Sequence, residues 1–100
     1  LLLTPTLAAP PLRIGGLYDA DDGIPADNPM APSMRAGQFV AFTPQFNATG
    51  QPAISLPLFW NDDGLPIGVQ LVAAYGREDV LIRVASQLEN AAPWAHLTPA

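Results

Sequence analysis

The 100 residues carry nine Asp and Glu against four Arg and no Lys, a formal net charge of −5, with 49% hydrophobic and 13% charged residues and no Cys. The scarcity of cations argues against nucleic-acid binding, and the lack of Cys removes disulfides, thiolate nucleophiles and Cys-held metals, with the reducing cytoplasm as the expected compartment. This length allows one core at most, and so apolar a composition in so small a body predicts surface that other protein covers.

The chain opens on Leu1-Leu2-Leu3-Thr4-Pro5-Thr6 with no polar or basic lead-in, so it is expected to start inside an element. Residues 1–4 read as a short strand buried on both faces of a parallel or mixed sheet, its ladder ended by Pro5. Pro5, Pro10 and Pro11 break the apolar opening as a secretory signal, and no run approaches the roughly 18 residues of a membrane span, so no membrane association is expected. Residues 5–32 then hold six prolines, Gly15-Gly16 and the acidic stretch at 19–22. They read as one long loop that wraps a surface or borders a site, since structureless connections beyond about 12–15 residues are uncommon.

Ser33 is the expected cap of a helix reaching Phe42 and limited by Pro44, with apolar Met34, Ala36, Phe39 and Val40 at helical steps. Phe46-Asn47-Ala48-Thr49-Gly50-Gln51-Pro52 reads as turn-rich. Residues 53–60 and 65–73 are strand-like and mostly apolar, and the turn Asn61-Asp62-Asp63-Gly64 between them predicts an antiparallel hairpin that needs cover from two sides. A helix follows from about Arg77, with acids in its first turn, a stripe of Leu81, Val84, Ala85, Leu88 and Ala92, and a stop at Pro93.

Few residues offer chemistry. His96 stands alone near the end, and a general base needs a positioned nucleophile and an orienting partner. One His without Cys gives too few ligands for zinc. Asp19-Ala20-Asp21-Asp22-Gly23 fails as a calcium loop because its twelfth position is Met30 and not Glu. Ser33, Ser55 and Ser86 have no glycine-rich elbow or neighbouring base, and the glycines match no phosphate-cradling loop. No cofactor or metal is therefore expected. The aromatic residues read as packing, apart from Phe46, which sits beside Asn47 in a polar, turn-rich segment of the kind that contacts ligands.

Four ordered blocks remain: Leu3-Thr4-Pro5-Thr6; Phe46 to Pro57; Gly64-Leu65-Pro66-Ile67-Gly68-Val69-Gln70-Leu71-Val72; and Glu78-Asp79-Val80-Leu81 with Leu88-Glu89. Together they resemble the carboxy-terminal part of the amidase signature family across almost the whole chain. The segment Ala73-Ala74-Tyr75-Gly76-Arg77-Glu78-Asp79 is similar to bacterial amidases, among them hydrolases of a cyclic amide dimer.

The resemblance implies an α/β/α fold with a mixed central sheet, to which residues 1–100 would contribute a strand, an antiparallel hairpin and a covering helix as the carboxy-terminal part of one amidase domain. It implies hydrolysis of a carboxamide through a Ser acyl-enzyme, helped by a second Ser and a Lys, with those groups upstream of this chain. It further implies a small-molecule amide substrate, contacted by Thr4, Pro5, Thr6, Phe46 and Asn47. The partner it implies is the amino-terminal part of the same protein, and a homo-oligomer stays open. Two alternatives are an amidotransferase A-type subunit that releases ammonia from Gln or Asn, and a truncated polypeptide without catalysis.

Overall fold

A computed structural model describes residues 1–19 and 21–99; within the acidic stretch read as loop, Ala20 lies outside the described residues. Six elements follow in chain order: β1 (Leu2–Pro5), α1 (Ala31–Phe39), α2 (Pro44–Thr49), β2 (Ala53–Trp60), β3 (Pro66–Val72) and α3 (Glu78–Ala91). The strands form one sheet in the order β1-β3-β2, both pairings antiparallel.

The hairpin turns as its sequence dictates. Gly64 takes φ 73°, its N–H donates to the Asn61 carbonyl, and the Asn61 side chain accepts from the Leu65 N–H at 2.9 Å. Pairing slips between Leu56 and Phe59, where Pro57 stands in β2 without a donor for the ladder.

Paired residues of an antiparallel sheet share a face. One face carries Leu3, Leu71 and Ile54 in one row and Pro5, Val69 and Leu56 in the next. Here Leu56, Leu71 and Ala73 are buried with Leu81 of α3, and Val84, Ala85, Leu88 and Trp94 pack around them. The predicted stripe thus finds its partner from Leu81 to Leu88, whereas Ala92, its expected last member, is exposed and follows the end of α3 at Ala91. The opposite face carries Leu2, Val72 and Ala53, then the polar row Thr4, Gln70 and Ser55.

Five expectations need correction. Ser33 is not a cap: α1 begins at Ala31, with Pro32 in its first turn, where a missing N–H costs no helical bond, and ends at Phe39 rather than Phe42. No side chain caps α1; ahead of it, Asn28 Oδ1 accepts from the Met30 N–H at 2.9 Å and forms the turn that leads in. The turn-rich segment holds a helix, because Pro44 both limits the chain before it and opens α2, which Gly50 ends in the left-handed conformation at φ 73°.

Pro5 does not end the β1 ladder either. It pairs in register with Val69, and the next N–H, from Thr6, donates to the Gly68 carbonyl at 3.1 Å. Alternation turns the donorless Pro5 nitrogen away from β3, to the outer edge. Finally, β1 is not buried on both faces within this chain: Leu1, Leu2 and Leu3 are all exposed.

Candidate functional site

The polar row is built from single polar residues in otherwise apolar strands. Ser55 interrupts Ala53-Ile54 and Leu56, Gln70 interrupts Val69 and Leu71-Val72, and register aligns both with Thr4. Gln70 is buried; its Nε2 donates to Thr4 Oγ1 at 3.0 Å and to the Phe42 carbonyl at 2.8 Å. Thr4 spends its own proton on the Pro5 carbonyl at 2.9 Å. Its hydroxyl is therefore oriented as an acceptor.

One step along the sheet, Thr6 Oγ1 and Ser55 Oγ lie 2.6 Å apart. One of their two protons closes that bond, which leaves the second O–H as a donor for a further acceptor. Gly68 makes the approach fit: a Cβ there would stand 2.7 Å from each hydroxyl oxygen. Among the described residues neither hydroxyl has a general base as a hydrogen-bond partner, so what this pair itself offers is a donor that can bind and orient a polar group.

The chain leaves the sheet with the Thr6 N–H on the Gly68 carbonyl and returns to the polar face at the Phe42 carbonyl, and the two arms are joined by the Ala8 N–H donating to the Phe39 carbonyl at 2.9 Å. Two adjoining open clefts of about 340 and 250 Å³ separate the proline-rich segment from α1 and share Leu12, Gly16, Leu17 and Phe39. The smaller one also reaches Arg35 and Asp22. Arg35 is buried, donates through Nε and Nη2 to both Asp22 carboxylate oxygens at 2.6 and 3.0 Å, and through Nη1 to the Leu17 carbonyl at 2.9 Å. This bidentate pairing, and then the Ile24 N–H, hold the Asp22 carboxyl down from 3.8 to about 2.

The structure thus brings Thr4, Pro5 and Thr6 together on β1 and just beyond its end, with the Thr4 and Thr6 side chains on the polar face. Phe46 is half-buried and Asn47 exposed on α2, joined to the row through Phe42, whose carbonyl Gln70 holds just ahead of that helix. His96 is exposed beyond α3. Sequence reading missed Ser55 and Gln70 as parts of the site, although each is a lone polar residue in an apolar strand. It also missed Arg35, one of only four cations.

Among the described residues no group of three or more His, Cys, Asp and Glu could hold a metal, and no helix is long and apolar enough to cross a membrane. A family model described as Amidase matches residues 1–82. The chain is 48% identical over 99 residues to 6-aminohexanoate-cyclic-dimer hydrolase of Paenarthrobacter ureafaciens and, equally, to that of Pseudomonas sp. (strain NK87), covering 99% of this chain and 20% of each relative. A solved structure of 6-aminohexanoate cyclic dimer hydrolase complexed with substrate superposes with a TM-score of 0.80 at 47% identity, over 97% of this chain and 20% of that one. The chain spans about a fifth of the length of these relatives, and on the family match and these identities it belongs to the amidase family.

Proposed function

We propose that residues 1–100 are the carboxy-terminal part of one amidase domain, whose parent hydrolyses the C–N bond of a small non-peptide carboxamide, linear or cyclic, through a Ser acyl-enzyme. On this reading the nucleophile, its proton-managing partners and the oxyanion-binding amides are supplied by the rest of the parent. These residues supply sheet, a covering helix and part of the substrate wall: Thr4, Pro5 and Thr6 on one side, Phe46 and Asn47 on the other.

The carrying observation is the 48% identity across 99 residues to hydrolases named for a cyclic amide dimer, joined to the same three-dimensional arrangement. The chain's own chemistry agrees with the division of labour. It contains no Lys, and among the described residues the Thr6–Ser55 hydroxyl pair has a donor to offer a ligand and no basic side chain hydrogen-bonded to it.

The test is an assay of the full-length protein carrying these residues against 6-aminohexanoate cyclic dimer and simple aliphatic and aromatic amides, with hydroxylamine present to trap an acyl-enzyme. The expected result is amine or ammonia release, with hydroxamate replacing the carboxylic acid as the acyl product as hydroxylamine rises. Absence of hydrolysis on all of these amides would refute the reading.

A further inference from the structure

Gln70 is 4% exposed in the middle of β3, where its neighbours Val69, Leu71 and Val72 show what the strand otherwise uses. Burying a primary amide is unfavourable unless its hydrogen bonds are made. Both N–H groups of Gln70 are committed, one to Thr4 Oγ1 and one to the Phe42 carbonyl. The orientation of the amide is forced: a backbone carbonyl can only accept, and Thr4 has already given its proton to Pro5. One side chain thereby clamps two segments 38 residues apart, Thr4 beside the Thr6–Ser55 hydroxyl pair and Phe42 two residues ahead of α2.

We propose that Gln70 is a positioning residue of the amide-hydrolysing site: it fixes the spacing between the Thr4–Thr6 wall and the α2 wall that carries Phe46 and Asn47, and so sets substrate affinity without touching substrate. This rests on the functional reading above, which assigns those two walls to the substrate. The geometry separates the roles. Gln70 is spent on protein acceptors, whereas the Thr6–Ser55 pair keeps one O–H for a ligand.

The experiment uses the full-length protein with Gln70→Met, which keeps the length of the side chain and removes both donors, and with Thr4→Val, alone and combined. Steady-state kinetics on an amide that the wild type hydrolyses is read together with amide hydrogen exchange over residues 42–50 and 78–91. Gln70→Met is expected to raise KM by ~3- to 10-fold with kcat within about twofold, as loss of a ground-state positioning contact requires. Exchange over 42–50 should quicken while 78–91 holds, and the double variant should be less than additive because both changes remove the same bond.

An unchanged KM, an equal fall in kcat, or unchanged exchange over 42–50 overturns the proposal. Should Gln70→Met not fold, Thr4→Val on the edge strand carries the test through exchange over 42–50 and not through KM, since Thr4 itself belongs to the substrate wall, and quickened exchange there reports the link through Gln70. A wild type that hydrolyses no amide refutes the functional reading instead, and the exchange over 42–50 still decides whether Gln70 braces α2.

Discussion

Asp22 and Arg35 stand 13 residues apart and turn a proline-rich excursion into a fixed wall. The guanidinium holds both carboxylate oxygens and the Leu17 carbonyl at once, so three points of one segment are pinned to α1. The Asp22 carboxyl is lowered in the folded state, so the stabilisation it lends is fully present above its ordinary value of 3.8 and is lost as pH falls through about 2. A carboxyl-carbon NMR titration should place the Asp22 midpoint near 2, with the amide signals of residues 15–24 moving in step. Asp22→Asn should abolish that step, and a midpoint at 3.8 would contradict the pairing.

At this scale the sequence was legible unevenly. Thr4 and Thr6 stand out by resemblance, and the structure gives their side chains hydroxyl and amide partners. Ser55 and Gln70 acquire meaning only through the register that sets them opposite Thr4, and a register is a property of two strands together. Arg35 finds Asp22 only because the intervening loop folds back, which local spacing does not encode.

Among the elements, the hairpin and α3 could be read directly, since alternating turn chemistry and a 3.6-residue stripe are local signals. The boundaries of α1 and α2 could not. Pro32 and Pro44 each admit two readings, breaker or first-turn residue, and the packing of the chain decides between them. The turn chemistry around Gly50 then decides where α2 stops. Gly50 sits at φ 73°, and a Cβ there would meet Tyr75 Cε2 at 3.3 Å, tighter than ordinary contact. Gly50→Ala in the full-length protein should therefore lower stability by ~1–2 kcal/mol, through the left-handed backbone more than the movable ring. Chemical denaturation measures this, and an unchanged midpoint would remove Gly50 as the stop of α2.

For the whole chain, the accessible surface is 6935 Å², against roughly 5400 Å² expected of a compact protein of this mass. The principal extents of 47 × 34 × 14 Å describe a slab of about two layers. Leu1, Leu3, Ile14, Phe59 and Ile82, drawn from the first strand, the proline-rich segment, β2 and α3, are all exposed. The slab spans about a fifth of the length of the relatives it matches. The apolar composition leads to the expectation of exposed apolar side chains, which the structure has; which face α3 covers and which carries the polar row did not follow from composition.

The most direct measurement is turnover by the 100-residue chain alone, beside the full-length protein, on the same amides. The account predicts no hydrolysis by the isolated chain and hydrolysis by the full-length protein that a serine-directed acylating inhibitor abolishes. Inhibitor-sensitive turnover by the isolated chain would contradict it.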